Sequence, residues 1–167
     1  MSILADLTVG QSYRISAPDA DGNTLSTADG HVTTIVLTTE AGISKARAVG
    51  NRSPDFCLGN PAYRFITVLA FEKSHSRPIR AILNGVIRHR LDSEGRLLQD
   101  RYDKLKIARE ARRDVFAIAD FDGTITKQLG AEPAADLFRV FVLGKNSELI
   151  KEWSDVPSAE DLAAALK

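Results

Sequence analysis

Sulfur is scarce in this sequence: among 167 residues there is one cysteine, Cys57. A single thiol closes no intrachain disulfide, so no oxidised framework holds the fold. An excess of one charge is missing as well. The 22 Lys and Arg balance 22 Asp and Glu, for a formal net charge of zero, which offers no global attraction to nucleic acid or an anionic membrane. No apolar run approaches the roughly 20 residues of a membrane-spanning helix. Residues 1–7 have no basic start, no long apolar core and no small-residue cleavage site, so they do not read as a signal peptide and the expectation is a cytoplasmic protein. Walker, Gly-x-Gly-x-x-Gly and Gly-x-Ser-x-Gly patterns are absent, and His31, His75 and His89 lack ligand spacing. The expectation is therefore no cofactor and no metal.

What is present is a globular balance of 44% apolar and 26% charged residues. The length suits one domain with a sizeable core, 1–167. Residues 8–16 alternate weakly and predict an edge strand. Pro18-Asp19-Ala20-Asp21-Gly22-Asn23 reads as a turn, because Asp, Gly and Asn tolerate turn geometry. A short strand at 24–26 and a strong one at 32–39 follow, the latter dense in β-branched residues. Residues 43–49 predict a short helix stopped by Gly50-Asn51.

Residues 63–71 are apolar enough for a central strand. Pro78 then opens a helix, along which Ile79, Ile82, Leu83, Val86, Ile87 and Leu91 keep helical spacing and predict one buried stripe. Asp92-Ser93-Glu94-Gly95 predicts a break before a second helix running to about 112. Residues 115–119 are a strand ending at Asp120-Phe121-Asp122-Gly123-Thr124. Residues 137–143 and 148–153 form a hairpin about a turn at 144–147. Ser158 with Asp161 three residues later caps a last helix, 159–166. Mixed strands with interspersed helices predict a layered α/β domain.

Read with its local sequences, that order resembles the thioredoxin-like superfamily, nearest its peroxiredoxin and bacterial thiol–disulfide oxidoreductase branch. The resemblance is carried by Val9-Gly10-Gln11, Pro18-Asp19-Ala20-Asp21-Gly22-Asn23-Thr24-Leu25, and Gly30 before the strand at 32–39. It continues in Asp120-Phe121-Asp122-Gly123, in Leu129-Gly130, and in the hairpin and helix that close the chain. It implies an α/β/α sandwich with a mixed central sheet flanked by helices. The departures bear on function. In that family a nucleophilic cysteine follows the strand ending here at Thr39, yet residues 40–46 are Glu-Ala-Gly-Ile-Ser-Lys-Ala and no Cys-x-x-Cys occurs anywhere. Dithiol exchange needs a thiolate and a resolving partner. The proline expected just before the late strand is also missing, its place taken by Phe138-Arg139, and Pro133 lies several residues earlier.

The resemblance thus implies a redox-inactive binding or interaction module for a protein or small-molecule partner that the sequence does not name. Its candidate face is the degenerate active-site loop, Glu40, Ala41, Gly42, Ile43 and Ser44, together with Phe138 and Arg139. An alternative is a peroxiredoxin-like thiol reductase using Cys57, weighed against a small apolar side chain packed beside Phe56 and Leu58. A weaker alternative comes from Asp120 and Asp122. Alone, the strand and its Asp-x-Asp-Gly-Thr look like the first motif of the haloacid-dehalogenase phosphatases, with a nucleophile, a general acid/base and Mg²⁺. Against it, only 45 residues follow Asp122, and they are taken up by one hairpin and one helix, so the pair reads as a turn. Residues 77–113 carry eleven Lys and Arg against five Asp and Glu. Without interleaved aromatics this reads as outward helix faces, and a nucleic-acid partner is not expected.

Overall fold

The computed structural model describes residues 6–167. The reading of the opening stretch as no signal peptide rests chiefly on residues 1–5, which lie outside the described residues. A hairpin of β1 (Ser16–Pro18) and β2 (Thr24–Ser26) precedes β3 (Val32–Thr38), α1 (Ile43–Asn51), β4 (Tyr63–Ala70) and α2 (Arg77–Lys104). There follow β5 (Phe116–Asp120), α3 (Thr124–Gln128), β6 (Phe138–Leu143), β7 (Leu149–Trp153) and α4 (Ala159–Leu166). The five longer strands form one mixed sheet in the order β5-β4-β3-β6-β7. Strands β3, β4 and β5 run parallel, β6 is antiparallel to β3, and β7 is antiparallel to β6. This is the expected α/β/α sandwich with a mixed central sheet.

Strand alternation sorts the core into two layers. Ile35, Leu37, Ile66, Val68, Ile118 and Phe141 face the β1–β2 hairpin and α3, packing on Ile15, Leu25, Ile125 and Leu129. Val36, Val140 and Val142 face the other way, onto Ala46 and Val49 of α1 and Leu162 and Leu166 of α4. On that same face Ile87 and Leu91 of α2 pack against Ala117, with Leu69 beside them. The β3-α1-β4 and β4-α2-β5 crossovers step in one direction across the sheet, so their shared handedness puts both helices on one face.

Local chemistry explains two element ends. Asp19 Oδ1 accepts from the Asp21 and Asn23 amides at 2.9 Å each, closing the turn before β2. Ser158 Oγ accepts from the Asp161 amide at 3.1 Å and caps α4 as its spacing predicts. Trp153 packs at the edge of the α1–α4 layer.

Four expectations are corrected. Residues 8–16 form no edge strand. A turn at Thr8–Gln11, with Gly10 at φ +92°, interrupts the run, which pairs through one bridge between Ser12 and Glu148 and through single bonds from the Gly10 amide to Leu149 O and from the Thr27 amide to Ile15 O. Helix α1 does not stop at Gly50 but runs to Asn51. No break occurs at residues 92–95, because α2 is continuous for 28 residues and leaves the helix only where Lys106 takes φ +57°. Gly95 is there for contact, since a Cβ would lie 3.1 Å from Arg112 Cα and 3.0 Å from its Cδ. Finally, the stripe on α2 is not wholly buried. Ile87 and Leu91 are, while Ile79, Ile82 and Val86 are 43%, 62% and 47% exposed. Those three point along the flank of the helix and not at the sheet, which the spacing alone does not distinguish.

Candidate functional site

The loop after β3 folds as one 3₁₀ turn, Glu40–Gly42, running directly into α1. The register sets Thr38 opposite Phe138, so the loop and the start of β6 adjoin. Gly42 is buried there, and a Cβ on it would overlap Thr38 Oγ1 and come within 3.3 Å of the Phe138 ring. Thr39 Oγ1 donates to Ala135 O at 3.0 Å, tying the loop to the segment before β6. No side chain caps the first turn of α1. Lys45 Nζ sits 5.4 Å over the Phe138 ring, and Glu40 pairs with Arg90 of α2 at 3.1 Å. Glu40, Ala41 and Ser44 are exposed and Ile43 is half-buried.

The two β6 candidates part company. Phe138 turns toward α1, whereas Arg139, the next residue, directs its side chain to the other side of the sheet, where it pairs with Glu152 and lies over Phe141. The structure therefore brings Phe138 to the loop at 40–44 and leaves Arg139 on the opposite face.

Cys57 closes a 3₁₀ turn, Asp55–Cys57, beyond the far end of α1. It is half-buried and packs against the apolar set of Val36, Ala46 and Val49. Burial pushes its thiol up to about 12. The arginines nearest in sequence do not offset this: Arg52 donates to Pro157 O, and Arg64 to Asp29 and Ser26 O. A thiol so placed stays protonated at neutral pH, and the thiolate is the nucleophile.

Asp120 and Asp122 have separate structural roles. Asp120 is buried and accepts from the Ile125 amide at 3.2 Å, the Thr126 amide at 2.7 Å and the Thr126 hydroxyl at 2.6 Å. Its carboxylate thus organises the first turn of α3, with Gly123 at φ +72° turning the corner. Asp122 is exposed and pairs with Arg80 at 3.0 Å. Phe121 between them stacks on Phe71 with centroids 4.7 Å apart. The Asp-x-Asp-Gly-Thr motif folds as a strand end and a helix start. Most arginines of the basic segment are likewise occupied within the molecule, Arg109 with Asp114 and Arg112 with both Asp21 and Asp92.

A feature with no motif behind it lies between α1 and α2. There a cleft of about 470 Å³ opens over β4. Phe65, Thr67 and Leu69 form its floor, and Ile87, Leu91 and Leu98 one wall. Its effect on β4 is visible in burial: Ile66, Val68 and Ala70 on the other face are sealed, while Phe65, Thr67 and Leu69 stay half-exposed although the strand is internal to the sheet. Three ion pairs cross it. Arg47 of α1 meets Glu94, Arg90 meets Glu40, and Arg101 meets Asp55 while also donating to Ser53 O at 2.7 Å. At the closed end the Tyr102 hydroxyl donates to Asp114 at 2.7 Å and accepts from the Gly59 amide. The one trace of this cleft in the sequence is Gly50, a helix-weakening residue inside α1.

The sequence matches no known protein family, and no curated protein matches it. Solved structures do resemble the fold. StoA from Bacillus subtilis superposes with a TM-score of 0.56 at 12% identity, over 95% of this chain and 99% of that one. DsbF of MTB gives 0.54 at 14%, over 95% and 97%. A peroxiredoxin-like protein from Aquifex aeolicus gives 0.53 at 13%, over 98% and 88%. The chain has a thioredoxin-like fold, and its one cysteine leaves it without a Cys-x-x-Cys pair. Among the described residues no helix is long and apolar enough to cross a membrane.

Proposed function

We propose that this protein is a non-catalytic thioredoxin-fold module that binds a partner and carries out no dithiol redox chemistry. The observation that carries the reading is the placement of sulfur. The loop after β3 holds Glu40 to Ser44 and no thiol, and the one thiol lies past the other end of α1 with its pKa pushed up to about 12 by burial. Attack on a disulfide or a peroxide requires an accessible thiolate, and exchange requires a second thiol to resolve the mixed disulfide. The binding face in this reading is Glu40, Ala41, Gly42, Ile43 and Ser44 with Phe138. Arg139 stands outside it because its side chain is on the other side of the sheet.

The test is turnover. The purified protein and Cys57→Ser are assayed side by side for reduction of a protein disulfide and of hydrogen peroxide, with a dithiol as the electron source. The reading expects no turnover from either protein. Thiol-dependent turnover that disappears in Cys57→Ser would overturn it in favour of a thiol reductase.

A further inference from the structure

The cleft between α1 and α2 adjoins the loop face, since Ile43 lines it and the Glu40–Arg90 pair crosses it, but a role for the cleft does not require a partner bound on that face. We propose that the cleft is a binding site for one uncharged, largely apolar small molecule. The ligand lies on Phe65, Thr67 and Leu69 and is held beneath the ion pairs that join α1 and its flanking turns to α2.

Size is the first support. About 470 Å³ falls within the roughly 300–1,000 Å³ of small-molecule sites, and an engineered apolar cavity of only about 150 Å³ already takes up benzene. The second support is Gly50. Gly50 lies in the last turn of α1, where glycine costs less than the roughly 1 kcal/mol of a helix interior, and packing does not demand it here. A Cβ at Gly50 would meet only Phe65 Cζ, at 3.9 Å. What the missing side chain does is keep the cleft open above the Phe65 ring.

Charge selects the class of ligand. Arg47, Arg90 and Arg101 stand at the cleft, and each is already paired, with Glu94, Glu40 and Asp55 respectively. The inner Asp114 is taken by Tyr102 and Arg109. No unpaired charge is left to receive an anion or a cation, so a charged ligand would lose its hydration without compensation. Uncharged polar side chains in the lining, Thr34 and Thr67 on the floor and Asn51 and Ser53 beside them, can orient a neutral molecule. The pairs themselves are solvent-exposed and individually weak, so they can part to admit it.

Two naphthylamine dyes test both parts. N-phenyl-1-naphthylamine is neutral, and 1-anilinonaphthalene-8-sulfonate has the same rings with a sulfonate added. Titration of the folded protein is followed by dye fluorescence, and methyl NMR locates the dye. The expected result is saturable one-site binding of the neutral dye, with shifts at the Leu69, Ile87 and Leu91 methyls. The sulfonate should bind weaker by about tenfold or more. Gly50→Leu, which directs a side chain into the cleft while improving helix propensity, should weaken the neutral dye by a similar factor and leave the melting temperature unchanged or raised. No binding of the neutral dye would overturn the proposal. So would shifts at Ile79, Ile82 and Val86 in place of the cleft methyls, or equal affinity for the two dyes. Should Gly50→Leu fail to fold, the dye comparison and the methyl shifts in the wild-type chain decide alone. Cys57 also lines the cleft, but dye binding and thiol turnover are separate readouts, so this proposal and the redox-inactive reading fail separately.

Discussion

The Asp120 carboxylate and Thr126, six residues apart, are joined twice: the Thr126 amide donates to Asp120 Oδ2 at 2.7 Å and its hydroxyl to the same oxygen at 2.6 Å. A buried carboxylate with three donors around it is a structural cap, and removing it strands those donors away from water. Asp120→Ala should therefore cost about 2–4 kcal/mol of stability in urea unfolding. Asp122→Ala, which loses one exposed pair with Arg80, should cost no more than about 0.5 kcal/mol. A catalytic carboxylate pair predicts no such asymmetry in stability, and comparable losses from the two variants would count against the cap.

Two glycines of α2 should respond in opposite senses to alanine. At Gly85 a Cβ would meet only the tip of Arg88 at 3.8 Å, so Gly85→Ala should stabilise by about 0.5–1 kcal/mol through helix propensity. At Gly95 the Cβ would press on the Arg112 backbone, whose side chain also holds Asp21 and Asp92. Gly95→Ala should therefore destabilise by about 1–3 kcal/mol despite the same gain in propensity. Stabilisation at both sites would show that Arg112 moves aside freely.

Those two residues also show why some of the structure is legible in the sequence and some is not. Signals that act within a few residues read correctly. The β-branched run of β3, the Asp19 turn and the Ser158 cap each place an element, and the absence of cysteine from residues 40–46 is plain without coordinates. Signals set by a distant partner do not read correctly. Gly95 looks like a helix stop until Arg112, seventeen residues on, is seen against it. Ile79, Ile82 and Val86 share a helical spacing with Ile87 and Leu91, yet only the angle at which α2 crosses the sheet decides which of them is covered. Arg139 sits beside Phe138 in sequence but on the other face of β6, a consequence of strand alternation. The cleft is a distance between two helices, and no short motif encodes it.

Acid should reveal the corner formed by Asp29. Burial opposes its ionisation, and hydrogen bonds from His31 and Arg64 together with the Arg64 charge outweigh that, so its pKa is lowered. A carboxyl depressed in the folded state contributes stability above its unfolded value, near 3.8, and loses it as pH falls through the lower folded value. In urea unfolding at a series of pH values, Asp29→Asn should be less stable than wild type above about pH 5. The gap should close as the pH drops below the unfolded value. A gap that widens in acid would contradict the assigned direction.

The central claim is that this thioredoxin-like fold carries no reactive thiol, and the most direct measurement of it is the rate of Cys57 alkylation by iodoacetamide as a function of pH. An ordinary cysteine inflects near pH 8.5, whereas burial places the Cys57 thiol at about 12. The prediction is a slow reaction in the native protein with no inflection between about pH 6 and 10. Unfolding in urea should restore ordinary cysteine behaviour. An inflection at or below neutral pH in the folded protein would reveal an activated thiolate at Cys57 and contradict the claim.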